Sequence, residues 1–96
     1  MTELFDKIKV AGAEASTTLT DVILKVIEEA GEIASEDLRV RNIKPTKPGQ
    51  DPIADRKEES VDLLLSTLDL CFRQMSEDEI KSILEVKLNK WLSYKK

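Results

Sequence analysis

The sequence predicts an all-α protein in which four helices form a single, bundle-like domain over residues 1–96. Apolar residues recur at steps of three and four, which places them on one face of a helix. The alternation of apolar and polar residues that marks a strand never persists over five residues. Only three glycines and three prolines are present, and most of these breakers lie in one loop. Long uninterrupted segments therefore remain for helices.

The first two helices are predicted at residues 2–15 and 19–40. The first has one apolar face, which contains Leu4, Ile8, Ala11 and Ala15. A polar break follows, and its candidate caps for the second helix are Ser16, Thr17, Thr18 and Thr20. The second helix has a broad apolar stripe that runs from Leu19 to Ala34. Charged residues fall along the flank of this stripe, with Glu29 nearest its edge: Lys25, Glu29, Glu32 and Glu36.

A proline-rich loop at residues 41–52 precedes the third helix, which we predict at residues 53–75. The main apolar face of this helix comprises Val61, Leu64, Leu65, Leu68, Phe72 and Met75. A thin polar column separates that face from Leu63 and Leu70, and it contains Glu59, Asp62, Ser66, Asp69 and Arg73. Because apolar residues flank the column on both sides, we expect its carboxylates to be partly enclosed.

The fourth helix is predicted to begin at a capping box, Ser76-Glu77-Asp78-Glu79, and to end near Ser93. We expect its apolar residues to face the core: Ile80, Ile83, Leu84, Leu88 and Trp91. The residues on one flank are Lys87, Lys90 and Tyr94.

Composition excludes several classes of function. The net charge of −4 argues against nucleic-acid binding, which requires clustered lysine and arginine. The chain has no histidine, which excludes Ser/His and Cys/His catalysis and histidine-ligated zinc. The single cysteine, Cys71, excludes an intrachain disulfide and is expected to be a core thiol. We see no signal peptide or membrane span, so we expect a cytoplasmic protein without a membrane partner.

Two acidic pairs are the most informative feature. Glu29 and Glu32 lie three residues apart in the second helix, as Glu59 and Asp62 do in the third. Residues with this spacing share one side of a helix, so two antiparallel helices can bring four carboxylates together. Clustered carboxylates repel one another unless a cation joins them, and hard oxygen ligands suit Mg²⁺ or Mn²⁺. Acidic pairs also arise by chance in so charged a chain, but these lie mid-helix among apolar residues, where an unpaired charge is costly.

The double motif resembles that of the MazG-like, all-α nucleoside triphosphate pyrophosphohydrolases. The matching segments are Glu28-Glu29-x-x-Glu32 and, after a spacer, Glu59-x-x-Asp62. The resemblance covers about residues 20–72, and the proline-rich spacer departs from the family pattern. It extends loosely to the last helix, where Lys87, Lys90 and Tyr94 are similar to the basic and aromatic tail of some members.

Members of that family hydrolyse the α–β phosphoanhydride of a nucleoside triphosphate to the monophosphate and pyrophosphate, which clears unwanted nucleotides. The resemblance implies that Mg²⁺, or Mn²⁺, is held by Glu29, Glu32, Glu59 and Asp62. It also implies that Glu29 or Glu32 orients or deprotonates the attacking water. The residues expected to contact the substrate are Lys87, Lys90, Tyr94 and Lys25, with Arg73 behind them. Asp69 is expected either to join the metal ligands or to form a hydrogen bond inside the bundle.

Two alternatives remain open. The phosphoribosyl-ATP pyrophosphohydrolases share the acidic plan, so the resemblance indicates the family more firmly than the substrate. The second alternative is a non-catalytic helical interaction module, since the apolar surface of the third helix could serve as a dimer seam. In either case the small size and the several apolar faces favour a homodimer or homotetramer.

Overall fold

The computed structural model describes residues 2–94, and that range contains four α-helices and no strand. The helices are α1 (Thr2–Glu14), α2 (Leu19–Val40), α3 (Pro52–Phe72) and α4 (Glu77–Ser93). The predicted all-α class and the order of the four helices are therefore confirmed. The bounds of α2 agree with the sequence pattern, whereas α1 ends one residue earlier than predicted and α3 ends three residues earlier.

Side-chain caps fix where α2 and α3 begin. Thr18 and Asp21 form a reciprocal capping box, in which Thr18 Oγ1 accepts from Asp21 N at 3.2 Å and Asp21 Oδ2 accepts from Thr18 N at 2.8 Å. Asp51 caps α3, because its Oδ1 accepts from Ala54 N at 3.2 Å. Pro52 occupies the start of α3, where its fixed φ suits a helix and its missing N–H costs nothing. The prediction that placed Pro52 in the loop was therefore wrong.

The turn between α3 and α4 explains why α3 is shorter than predicted. The Gln74 N–H bonds to the carbonyl of Cys71, only three residues back, and the Met75 N–H shares that carbonyl, so the regular i→i−4 ladder ends there. The apolar spacing continues to Met75 through this turn, so periodicity alone extended the helix too far. Ser76 then caps α4, with its Oγ accepting from Glu79 N at 3.2 Å.

The centre of the fold is an antiparallel hairpin formed by α2 and α3. Arg56 of α3 donates to Asp37 near the end of α2 at 2.7 Å. Closer to the middle of both helices, Glu59 is hydrogen-bonded to Glu32. Because residue numbers rise along α3 as they fall along α2, the two helices run in opposite directions. This arrangement brings the midpoints of the two acidic motifs to the same level.

Helix α1 packs on α3 through an aromatic contact and a close backbone approach. The rings of Phe5 and Phe72 meet edge to face, with centroids 5.9 Å apart. At the other end of α1, a Cβ on Gly12 would overlap Asp69 Oδ1, so only glycine fits without a shift. Asp69 is held in turn by Arg73, whose Nε lies 3.0 Å from Asp69 Oδ1.

Arg73 also fastens the segment that links α1 to α2. Its two terminal nitrogens donate to Thr17 O at 2.7 Å and to Thr17 Oγ1 at 2.8 Å. These bonds determine the roles of two residues that the sequence left open. Asp69 forms a hydrogen bond inside the fold, which is one of the two roles expected of it, and Arg73 clamps the link between α1 and α2.

Much of the predicted core is accessible in the single chain. Val22, at 5% exposure, is the buried apolar residue of the described range. The prediction that α4 faces the core was wrong for the isolated chain, because four of its apolar residues are between 44% and 62% exposed: Ile83, Leu84, Leu88 and Trp91. Helix α4 contacts α3, but within residues 2–94 no Cα of α4 lies within 8 Å of α2.

The apolar face of α3 lies against α1 without being fully covered. Val61, Leu64 and Leu65 are at least half exposed. With Leu68 they line a groove of about 440 Å³ that α1 closes on its other side. Cys71 is half-buried rather than a fully enclosed core thiol. Among the described helices, none combines the length and hydrophobicity needed to cross a membrane.

Candidate metal centre

The two acidic motifs meet at the middle of the α2–α3 interface. Carboxylate oxygens of Glu29, Glu59 and Asp62 all lie within 4.8 Å of one another. Oxygens on opposite sides of one bound divalent ion are about 4–5 Å apart, so a single ion can contact all three. Glu32 is not in this group of three; it is hydrogen-bonded to Glu59 across the interface. We call these four residues the acidic cluster.

Glu29 is the most enclosed member of the acidic cluster. The residue is only 5% exposed although it is ionisable. Its Oε1 lies 3.2 Å from Lys25 Nζ, whereas its Oε2 is buried without a hydrogen-bond partner. A buried carboxylate oxygen with no donor is costly. A cation bound to this oxygen would remove that cost.

Glu59 shows how strongly the carboxylates interact. Its pKa is raised from 4.5 to about 7, first by the hydrogen bond to Glu32, then by burial and by the charges of Glu32, Asp62 and Glu29. Glu59 Oε2 is also buried without a partner. Protonation of Glu59 relieves part of the repulsion when no metal is present. A bound divalent ion would relieve the same repulsion more completely, because it carries two positive charges.

Lys25 lies beside the cluster as an ion-pair partner. Its Nζ is 3.2 Å from Glu29 Oε1 and 3.8 Å from Glu28 Oε1. The hydrogen bond to Glu29, followed by the charges of Glu29 and Glu28, raises the pKa of Lys25. Glu28 has a side chain that is 61% exposed, and its position is that of a surface carboxylate that pairs with Lys25.

The remaining predicted substrate contacts lie away from the cluster in the single chain. Lys87, Lys90 and Tyr94 belong to α4 and its end, and Tyr94 is 73% exposed. Because the described part of α4 does not approach α2, the same chain does not bring these side chains to Glu29. The sequence pattern grouped them correctly on α4 but contained no information on the direction in which α4 leaves α3.

A second polar cluster, at the carboxyl end of α2, was not recognised as a unit from the sequence. Arg39 forms an ion pair with Glu36, and both Arg39 and Lys44 donate to Ser35 Oγ, at 3.4 Å and 2.6 Å. Glu36 Oε2 and Arg39 Nε are buried without partners. The spacing of three between Glu36 and Arg39 was the available signal, since it predicts an ion pair on the face that packs against α3.

Comparisons with protein-family models, with curated proteins and with solved structures found no match to this chain. The likeness to the MazG-like enzymes therefore depends on the spacing of the acidic residues. The geometry of those residues provides a separate physical argument. Three carboxylate ligands would leave the other positions of an octahedral ion open to water or to phosphate oxygens, the usual arrangement for Mg²⁺.

Proposed function

We propose that this chain is a Mg²⁺-dependent pyrophosphohydrolase that cleaves the α–β phosphoanhydride of nucleoside triphosphates. Two observations support this most directly: carboxylate oxygens of Glu29, Glu59 and Asp62 lie within 4.8 Å of one another, and Glu29 has a buried carboxylate oxygen without a hydrogen-bond partner. Phosphoanhydride cleavage depends on the positioning of phosphates and the neutralisation of their charge. A carboxylate-bound divalent ion provides both, and the chain offers no histidine or disulfide chemistry as an alternative.

The four carboxylates would have two different roles, metal binding and activation of the attacking water. Glu29, Glu59 and Asp62 would hold the ion, which when bound neutralises phosphate charge and lowers the pKa of a bound water. Glu32 would then be the carboxylate best placed to orient the attacking water and accept its proton. Glu29 is the weaker candidate for that role, because its Oε1 is engaged by Lys25 and the residue would itself be a ligand of the ion. Mn²⁺ would suit the same oxygen ligands.

The test is pyrophosphate release from a panel of ordinary, deoxy and damaged nucleoside triphosphates in the presence of Mg²⁺. Glu29→Gln and Asp62→Asn should abolish release while the helical circular dichroism spectrum is retained. Glu58→Gln is the matched control, since Glu58 is an exposed neighbour outside the ligand group, and it should retain activity. If no member of the panel yields pyrophosphate, the proposal is wrong. Adding phosphoribosyl-ATP to the panel tests the related hydrolase activity.

A homodimer or homotetramer is part of the proposal. Lys87, Lys90 and Tyr94 can serve the substrate only if α4 reaches an acidic cluster that its own chain does not bring to it. Several apolar side chains of α4 and α3 are more than half exposed, and association would cover them. The nucleotide would then bind where one chain supplies the carboxylates and its partner supplies α4.

The second candidate function is a helical interaction module without catalysis. The same exposed apolar surface favours it, because a dimer seam needs no metal. The two candidates differ in their response to metal. Mg²⁺ or Mn²⁺ at millimolar concentration should raise the melting temperature of an enzyme with this site, whereas the melting temperature of a simple interaction module should not change.

A further inference from the structure

The acidic cluster contains its own cation in the absence of metal. Lys25 Nζ is 3.2 Å from the buried Glu29 carboxylate and 3.8 Å from the exposed Glu28 carboxylate. The lysine side chain is itself 55% exposed, so its flexible stem reaches in from solvent. It therefore contacts the cluster from the solvent side, whereas Glu29 Oε2 is buried without a hydrogen-bond partner.

We propose that Lys25 is the resident counter-ion of the acidic cluster, and that a divalent ion competes with it for the charge of Glu29. This inference rests on the proposed function, because it assigns the divalent ion to the same carboxylates. It replaces the substrate contact that the sequence predicted for Lys25. In the metal-free protein the ammonium holds the cluster together, and in the metal-bound protein it lowers the affinity for the ion.

The competition follows from the geometry of one shared carboxylate. An ion bound at Glu29 Oε2 would lie roughly 5–6 Å from an ammonium at Oε1, given ordinary ion–oxygen distances. Even at the dielectric constant of water, a single and a double positive charge at that separation weaken binding about tenfold. Lys25 can reduce this cost by swinging toward solvent and Glu28, and the expected effect is therefore about three- to tenfold.

Removing the ammonium should affect the two states of the protein in opposite directions. The metal-free protein loses an attraction that offsets carboxylate repulsion, so its melting temperature should fall. The metal-bound protein loses a repulsion, so Mn²⁺ or Mg²⁺ should bind more tightly, with a lower dissociation constant. A lysine whose task is to orient Glu29 for the ion would weaken metal binding when removed. A solvated surface lysine would change neither quantity.

The experiment compares Lys25→Met with wild type by calorimetric titration of Mn²⁺ and by thermal melting in a chelator. We expect about three- to tenfold tighter Mn²⁺ binding and a metal-free melting temperature lower by about 2–5 °C. Lys7→Met is the matched control, because Lys7 forms an exposed i,i+4 pair with Glu3 at 3.8 Å on α1, outside the ligand group. It should leave metal binding unchanged. Lys25→Gln repeats the test if the methionine variant does not fold.

The outcomes separate this inference from the proposed function. If wild type binds metal and Lys25→Met binds it equally or more weakly, the counter-ion role is wrong while the metal site stands. If wild type binds no metal, both the proposed function and the competition are wrong. A double-mutant cycle in the metal-free protein tests the partner assignment: Lys25→Met should lower the melting temperature in wild type but not in a Glu29→Gln background. Equal effects in the two backgrounds overturn the assignment.

Discussion

Metal binding should release a proton from the acidic cluster, and Glu59→Gln should remove that release. The pKa of Glu59 is raised from 4.5 to about 7, first through its hydrogen bond to Glu32. A carboxylate must be deprotonated to bind a metal ion. The proton that Glu59 holds in the free protein must therefore leave when a divalent ion binds. The expected number of protons follows directly from the pKa.

The release should depend steeply on pH. With a pKa of about 7, Glu59 is about half protonated at pH 7, so about 0.5 proton per bound ion should be released. The value should rise to about 0.9 at pH 6 and fall to about 0.1 at pH 8. An ordinary glutamate would release almost nothing over this range, because it is already ionised.

Titration calorimetry in buffers of different ionisation enthalpy counts the protons. Glu59→Gln should abolish the pH-dependent release, although it will also weaken metal binding because a ligand is lost. Glu58→Gln changes an exposed neighbour and should leave the wild-type curve intact. A wild-type release below about 0.2 proton at pH 6 would refute the reasoning. The reasoning would also be refuted if Glu59→Gln released the same number of protons per bound ion as wild type at each pH.

The same pKa predicts how the metal-free protein responds to pH. Below pH 4.5 Glu59 is protonated in both the folded and the unfolded chain. Between 4.5 and about 7 the folded chain keeps a proton that the unfolded chain has lost, so folding stability falls as pH rises through this window. The decline ends above the folded pKa. Glu59→Gln should flatten this part of the stability curve, as measured by urea unfolding at several pH values.

Three further predictions test the packing. Gly12→Ala should lower stability by about 1–3 kcal/mol in urea unfolding, since the new Cβ would overlap Asp69 Oδ1. An unchanged midpoint would show that α1 docks differently. Gly31→Ala is the matched helical glycine with no atom within 4 Å of the new Cβ, and it should raise stability by about 0.5–1 kcal/mol. Sedimentation of wild type should show a dimer or tetramer that Leu84→Glu weakens, because Leu84 is 62% exposed; a monomeric wild type would contradict the proposed assembly.

The local elements were predictable because their causes are local. Thr18 was among the candidate caps named from the sequence, and Ser76 marked the start of α4 through the residues that follow it. The polar column of α3 identified Glu59 and Asp62 because helical spacing alone determines which residues share a face. The grouping of these side chains with Glu29 required only that α2 and α3 pack antiparallel, and consecutive elements are usually adjacent in space.

The position of α4 and the pairing of Lys25 were not predictable in the same way. The spacing of Leu84 and Leu88 indicates an apolar face but does not identify the surface that covers it. Lys25 can reach several acidic residues within one turn of α2. Its choice of Glu29 depends on how deeply α3 buries that carboxylate, which is a property of tertiary packing.

The distribution of arginine supports a cation site at the acidic cluster. In the part of the chain that the structure describes, three acids near the α2–α3 interface have an arginine partner: Glu36 with Arg39, Asp37 with Arg56, and Asp69 with Arg73. The acidic cluster has four carboxylates and no arginine in its recorded ion pairs, with Lys25 alone at its edge. Burying an unpaired charge is costly, yet the buried Glu29 and the half-buried Glu32 and Glu59 have no arginine partner among the ion pairs of the described residues. A purely structural role would favour an arginine or an apolar residue at Glu29, whereas a site that must accept a divalent ion requires free carboxylate oxygens.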